Sequence, residues 1–268
     1  MSLPLITVLI ANHNNEEYLE GCINSVLVQD YAGPIIVAVI DNGSTDGSWD
    51  IVEEKLLEDA PGRKVKREEQ NGMLVARAST LNNFSYLCIK TDEALGPSEA
   101  RNVAIELTDH QSYAYIVLDA DDEMYPHKIS TLFTKYIEDP TKIGVVYADY
   151  DVLHTDSGKI IREYKEPFDR RRLMQECIIH SGSLINSEAL IAVKEETGYY
   201  DRTMRVCEDY DLWMRITERY LAAHVPESLT LVRVTGDNSS SSVKEKVWEK
   251  NWLRVMEKAQ QRQNAQAY

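Results

Sequence analysis

Ile40-Asp41-Asn42-Gly43-Ser44-Thr45-Asp46-Gly47-Ser48 is an apolar run that stops at an aspartate and a glycine turn, and Val117-Leu118-Asp119-Ala120-Asp121-Asp122 repeats the pattern further on. The residues leading into each, 35–40 and 113–118, are almost continuously apolar, as strands buried on both faces are. In an open α/β sheet, ligands bind at the carboxyl ends of the strands. Two strands ending in acids therefore put carboxylates on one rim of one sheet. Such a rim suits a nucleotide held by its base, its ribose hydroxyls and a divalent cation on its phosphates.

Strand and helix patterns alternate around these runs. Residues 6–11 form a first apolar strand, and 16–29 follow helical spacing with Leu19, Ile23, Val26 and Leu27 on one face. Trp49, Val52 and Leu56 mark a helix after the second strand, and Pro61-Gly62 then breaks the chain. Short strand-like pieces follow in a polar setting at 64–90. Pro97 suits the first turn of a helix that runs to about Leu107. Beyond the aspartates, Pro126 precedes a helix with Ile129, Leu132, Phe133 and Tyr136 inward. This alternation predicts a parallel or mostly parallel sheet with helices on both faces.

The second half changes character. Thr155-Asp156-Ser157-Gly158 reads as a hairpin turn between strands at 143–153 and 159–164. A strand at 178–185, a helix at 208–220 and a strand at 223–234 are expected next, then a loop or linker at 237–242. The predicted organisation is one domain over 1–236, divided into a nucleotide-binding half (1–122) and an acceptor-binding half (123–236). A loop and helical tail at 237–268 complete it. In the tail, Trp248, Trp252, Val255 and Met256 recur at helical spacing. Lys244, Lys246, Lys250, Arg254, Lys258 and Arg262 outnumber Glu245, Glu249 and Glu257 there. The stripe fits an arm docked on the body, or the contact of a homodimer, better than peripheral membrane contact.

Charge and cysteine usage narrow the class. The formal net charge is -15, from 44 Asp and Glu against 29 Lys and Arg, with no long basic run. That field repels a nucleic-acid backbone and argues against DNA or RNA as a partner. The opening Met1-Ser2-Leu3-Pro4-Leu5-Ile6-Thr7-Val8-Leu9-Ile10 lacks a basic region and is too short for a membrane span, so no signal peptide is expected there. Cys22, Cys88, Cys177 and Cys207 form no CxxC pair and read as reduced, mostly buried thiols. A cytoplasmic protein is expected, with the membrane surface as the place of any lipid contact.

Five elements occur in one order: Val8-Leu9-Ile10-Ala11-Asn12-His13-Asn14-Asn15-Glu16-Glu17-Tyr18-Leu19; the octapeptide from Asp41; Gly96-Pro97-Ser98-Glu99-Ala100-Arg101-Asn102; Asp119-Ala120-Asp121; and Val206-Cys207-Glu208-Asp209-Tyr210-Asp211-Leu212-Trp213. Together, over 3–234, they resemble the family 2 glycosyltransferases. The resemblance implies the GT-A fold, a Rossmann-like mixed and mostly parallel sheet with helices on both faces. It also implies inverting transfer of one sugar from a nucleotide-diphosphate donor, most often a UDP-sugar, to a hydroxyl of a glycan or lipid-linked acceptor.

The same resemblance assigns roles. The turn at Ala11, His13 and Asn14 would wrap the nucleotide base, with His13 where the family usually has Tyr or Phe. Asp41 would accept a hydrogen bond from the base, and Asp46 would cap the next helix. Arg101 would reach the donor phosphates or clamp the aspartate loop. Asp119 would contact ribose hydroxyls, and Asp121, with Asp122 as a second ligand, would hold Mn²⁺ or Mg²⁺ against the leaving diphosphate. Asp209 would be the general base, with an ordinary carboxylate pKa of about 4. Glu208 would stand beside it, and Trp213, one turn on, would form an aromatic wall for the acceptor sugar. His180 with Ser181-Gly182-Ser183 would line the acceptor pocket, and Arg233 with Asn238 and the following serines would belong to a loop closing over the donor. The polar stretch 59–95 is longer than the family's usual segment and reads as an insertion that shapes acceptor recognition or oligomerisation.

Other readings fit less well. A sugar-phosphate nucleotidyltransferase needs a Gly-rich basic loop after the first strand, and Ala11-Asn12-His13-Asn14-Asn15 has no glycine. A non-catalytic nucleotide-sugar-binding or assembly protein would have no use for both Asp121 and Asp209. A calcium loop lacks the EF-hand spacing. The sugar, acceptor and linkage reside in loops that vary with each substrate.

Overall fold

A computed structural model describes residues 2–58, 62–108, 111–235 and 243–266. Its strands in the first half are β1 (Ile6–Asn12), β2 (Ile35–Asn42), β3 (Lys64–Gln70), β4 (Met73–Ser79), β5 (Phe84–Thr91) and β6 (Ala114–Asp119). The second half adds β7 (Glu123–Met124), β8 (Ile143–His154), β9 (Lys159–Glu163), β10 (Leu184–Asn186) and β11 (Leu221–Val234). The helices are α1 (Glu16–Leu27), α2 (Ser48–Val52), α3 (Pro97–Leu107), α4 (Lys128–Tyr136), α5 (Arg170–Leu173), α6 (Ser187–Ala192), α7 (Glu208–Ile216) and α8 (Glu245–Gln266).

The strands form one sheet in the order β3-β4-β5-β2-β1-β6-β10-β8-β11-β7, with β9 paired to β8. Its centre, β5-β2-β1-β6, is parallel, whereas β10 runs antiparallel to both neighbours. Alternation along each strand divides the core. Val8, Ile10, Val37 and Val39 face the layer of α1, α2 and α4, and Leu9, Ala38 and Ile40 face the layer of α3, α6 and α7. Helix α1 buries Leu19, Cys22, Ile23 and Val26 against the first layer. The result is the mixed α/β architecture expected, with a parallel centre and antiparallel margins.

Several expectations shift in detail. Stretch 59–95 is not simply an insertion: β5 is a sheet strand paired residue by residue with β2, from Ile35↔Phe84 to Asn42↔Thr91. What extends the sheet beyond it is the β3–β4 hairpin. The helix after β2 changes to a π-helical turn at Glu53–Leu57. The strand expected over 178–185 is paired only at Leu184–Asn186, because residues before it turn toward the rim. The linker at 237–242 lies outside the described residues.

The tail docks on its own chain. Val255 and Ala259 are buried in the second layer, while Trp248 and Trp252 remain 37% and 38% exposed, so the tryptophans are not the inward stripe. Charge does much of the docking. Arg254 pairs with Asp201 at 3.1 Å and Arg262 with Glu218 at 2.9 Å. Lys258 meets Glu195 and Asp201 at 2.9 Å and Asp211 at 3.0 Å. Among the described residues no helix is long and apolar enough to cross a membrane.

Asp201 and Asp211 are buried carboxylates that would each lose a cation with Lys258. Lys258→Met should lower unfolding free energy by about 1–3 kcal/mol, since each acid keeps an arginine. An unchanged denaturation midpoint would contradict this account of the tail.

Candidate active site

The rim forms where β1 lies between β2 and β6. Asn12 pairs in register with Asp41, and Ala11 with Asp119, so three strand ends meet within one residue of each other. At the β1–β2 side, Asn12 Nδ2 donates to Asp41 Oδ1 at 2.9 Å. Asp41 is fully buried, and its second oxygen has no partner among the described residues. His13 is exposed, its Nδ1 donating to the Asn42 carbonyl at 2.8 Å. Asn14 has a left-handed backbone, φ 55, and its side-chain oxygen accepts the Thr45 N–H at 2.8 Å, so it ties the two turns together.

The helices after these strands are stitched to each other. Asp46 accepts the Glu16 and Ser48 backbone N–H groups, at 3.0 and 3.1 Å, while Glu16 accepts that of Gly47 at 2.9 Å. Asp46 thus satisfies donors at the starts of both α1 and α2. Gly43 has φ +68, and a Cβ there would lie 2.5 Å from the Ala94 nitrogen. The glycine lets the 93–95 loop close over the turn.

Arg101 is the hub of the other side. It is 6% exposed, donating from Nη1 to Glu208 at 2.6 Å and from Nη2 to Asp119 at 3.0 Å. Its guanidinium also lies 5.4 Å from the centroid of the Tyr200 ring. Burial works against its charge, but Asp119 and Glu208 outweigh that and hold it above its ordinary range. Of the two roles expected, clamping the aspartate loop is the one this geometry realises. Asn102 fixes the same corner by exchanging two 2.9 Å hydrogen bonds with the Tyr200 backbone.

The clamp brings the start of α7 to the rim. Cys207, just before it, is held at φ 64, a costly conformation for a residue with a side chain. Burial and then the Glu208 charge push the Asp209 carboxyl up to about 7, well above the ordinary value expected. Trp213 is not an acceptor wall: it is fully buried among the second layer's apolar residues. On a helix packed against a sheet, the position one turn inward faces the core.

The aspartate turn is tied to the end of β11. Asp122, 4% exposed, accepts the Arg233 N–H at 2.9 Å. The Arg233 side chain bonds the Asp121 carbonyl at 2.8 Å and also the Glu123 carboxylate. Arg233 therefore braces the turn from behind. Burial, then the charges of Asp119 and Asp121, push Asp122 well above the carboxylate range. Lys128, which no sequence signal marks, is fully buried opposite these acids and donates to Thr230 at 2.8 Å. Burial pulls it down to about 8 despite Asp122 and Asp119. His180 reaches the site through its neighbour: the Ser181 hydroxyl is 3.5 Å from Asp119. Burial, then the Lys128 charge, pull His180 down to about 3.

The family model described as glycosyl transferase family 2 matches residues 7–85 and 76–193, more than half of the chain. The chain belongs to glycosyl transferase family 2. This glycosyltransferase is 21% identical over 239 residues to the chondroitin synthase of Pasteurella multocida (strain Pm70), covering 89% of this chain but 21% of that one. It therefore spans about a fifth of that relative's length. It is 24% identical over 257 residues to the Escherichia coli protein WfaP, a UDP-Glc:alpha-D-GlcNAc-diphosphoundecaprenol beta-1,3-glucosyltransferase, covering 94% of this chain and 86% of WfaP.

Solved structures share the fold. The Staphylococcus aureus protein (S. aureus TarS 1-349) in complex with UDP aligns at a TM-score of 0.67 and 15% identity, over 97% of this chain and 65% of that one. The mannosyltransferase PcManGT of Pyrobaculum calidifontis, in complex with GDP-Man and Mn2+, aligns at 0.59 and 19% identity, over 87% and 58%. The fold is GT-A.

Arg101→Met would leave Asp119 and Glu208 without their shared cation, at a cost of about 3–5 kcal/mol of stability. Adding Glu208→Gln should return part of that loss. Strictly additive losses in a double-mutant unfolding cycle would show that the two side chains are not coupled.

Proposed function

We propose that this glycosyltransferase moves one sugar from a nucleotide-diphosphate donor to an acceptor hydroxyl, with inversion at the sugar carbon. The Arg101 bridge carries this reading, because it sets the Glu208-Asp209 pair against the Asp119 end of β6. A single displacement needs a base on the acceptor side and a site for the leaving diphosphate on the other. Asp209 supplies the first. Its carboxyl is raised to about 7, so it can take a proton at neutral pH and still be a stronger base than an exposed aspartate. Glu208 and Arg101 act through position: they hold the start of α7, while burial and then the Glu208 charge keep Asp209 basic.

On the donor side, His13 offers an exposed ring to the base, and the unpartnered Asp41 oxygen is an acceptor that a base N–H would satisfy. Ala11 and Asn14 shape that turn, and Asp119 faces the ribose. A uridine base is supported by the fold shared with TarS, solved with UDP and with UDP-GlcNAc. A glycan or lipid-linked acceptor is supported by the likeness to WfaP along most of its length.

The acids fit a divalent cation. Asp119, Asp121 and Asp122 stand at one turn, where burial and then the neighbouring charges raise Asp122, and hard carboxylate oxygens match Mn²⁺ or Mg²⁺. Among the described residues no three His, Cys, Asp or Glu side chains are arranged to hold a metal alone. Asp121, with Asp122 enclosed behind it, would hold such a cation beside the donor diphosphate. When bound, the cation supplies charge that offsets the negative charge building on the departing diphosphate.

Two experiments test this reading. Rising pH deprotonates Asp209, so kcat/KM should climb with pH to a plateau above about 7. Asp209→Asn should lower turnover by about 10²-fold or more and abolish that limb. Wild-type turnover in the variant would show that another group takes the proton. Separately, Asp121→Ala should lose most Mn²⁺-dependent affinity for uridine diphosphate while its melting temperature holds, as a half-buried rim residue contributes little to the core. Equal affinities in wild type and variant, with Mn²⁺ or with chelator, would refute the metal assignment.

A further inference from the structure

One cation on the acceptor half has no use in the chemistry above. Lys165 follows β9, and its backbone is pinned on both sides. Asp149 accepts the Lys165 N–H at 2.9 Å, and the Tyr147 hydroxyl donates to the Glu166 carbonyl at 2.6 Å. The Lys165 side chain lies over Tyr150, with Nζ 5.2 Å from the ring centroid. Tyr150 in turn stacks on His180, their centroids 4.3 Å apart and their planes 33° from parallel.

Nearby carboxylates have other partners. Asp149 bonds Arg162 and His224, each at 2.9 Å. Glu166 bonds Arg172 at 3.0 Å, and Asp151 accepts the Tyr125 and Ser228 hydroxyls at 2.6 Å. Among the described residues no carboxylate pairs with Lys165, in a protein where acids outnumber bases 44 to 29.

The position of this group matters as much as its chemistry. His180 leads directly into Ser181, which reaches Asp119. Cys177, on the same segment, feels the charges of both Asp209 and Lys165. Lys165 thus lies near the rim, linked to Asp119 through His180 and Ser181 and close to the segment of Cys177, which also faces Asp209. Sugar rings present apolar C–H faces that pack on flat aromatic surfaces, and a lysine beside such a surface is a point charge for an acidic substituent. Half-buried His180 is held down to about 3 by desolvation and then the Lys128 charge, so Lys165 is the cation of the trio.

We propose that Tyr150, His180 and Lys165 form an acceptor subsite that stacks a sugar ring and pairs its acidic substituent, a carboxylate or a phosphate, with the Lys165 ammonium. This rests on the glycosyltransferase reading of the same site. The test is ligand-observed NMR of the whole chain with uridine diphosphate and Mn²⁺, using methyl glucoside, methyl glucuronide and glucose 1-phosphate as probes. The acidic probes should bind about tenfold tighter than the neutral one, the worth of one modest charge-assisted contact. Lys165→Met should erase that preference and Lys165→Arg should keep it; the tighter of the two acidic probes identifies the acid. Equal binding of all three probes, no binding of any, or a preference that survives in Lys165→Met would overturn the proposal. So would an equal weakening of uridine diphosphate by Lys165→Met, because the lysine would then read the donor. Release of nucleoside diphosphate from a panel of nucleotide sugars reports the glycosyltransferase reading separately, and the probe binding judges the subsite whichever way that assay falls.

Discussion

The two hydrogen bonds from the buried Arg101 guanidinium to Asp119 and Glu208 are the constraint on which the site depends. Three segments meet there: the first turns of α3, the end of β6 and the start of α7. Glu208 is 107 positions from Arg101 along the chain, so its place is set only when both halves have packed. Burying charge is costly, and such a cluster persists where its geometry satisfies each partner. A planar fork with two carboxylates does so, and a lysine in its place would not. Asn102 and the left-handed Cys207 reinforce the same corner, one by gripping the Tyr200 backbone and the other by aiming the helix start.

Around that clamp the charges are left out of balance in a way that folding alone does not call for. Asp122 and Asp209 are both pushed up by burial and neighbouring acids, and Lys128 is pulled down by burial beneath the same rim. Shifts of this kind gather where a site is shaped for a charged ligand. The aspartate turn is rich in acids, while beyond His180 an aromatic stack carries a lysine. The two regions share Asp119, through Arg101 and through Ser181. A change at this one aspartate would therefore disturb both regions together.

The tail obeys the same logic of long-range pairing. Its helix would be poorly specified by its apolar stripe alone, since Trp248 and Trp252 stay at the surface. Lys258 decides its seat by reaching three carboxylates of the body, two of them buried. The net acidity of the chain is thus offset locally, at the seam where a basic helix lies along α7.

The sequence by itself determined the sheet's parallel centre, the acids at the ends of β2 and β6, and the helices whose apolar residues recur at a fixed spacing. These are local properties: a strand buried on both faces must be apolar throughout, and a helix must repeat its inward residues every turn. It also determined that Asp41, Asp119 and Asp121 share one rim, because parallel strands carry their carboxyl ends to the same edge. Tertiary structure alone decided the rest. It turned Trp213 inward, joined β5 to the parallel core, engaged Arg101 with two acids, hid Lys128 beneath the rim and raised Asp209 to about 7. Burial and charge pairing depend on partners more than a hundred residues away, and no spacing within a short segment encodes them.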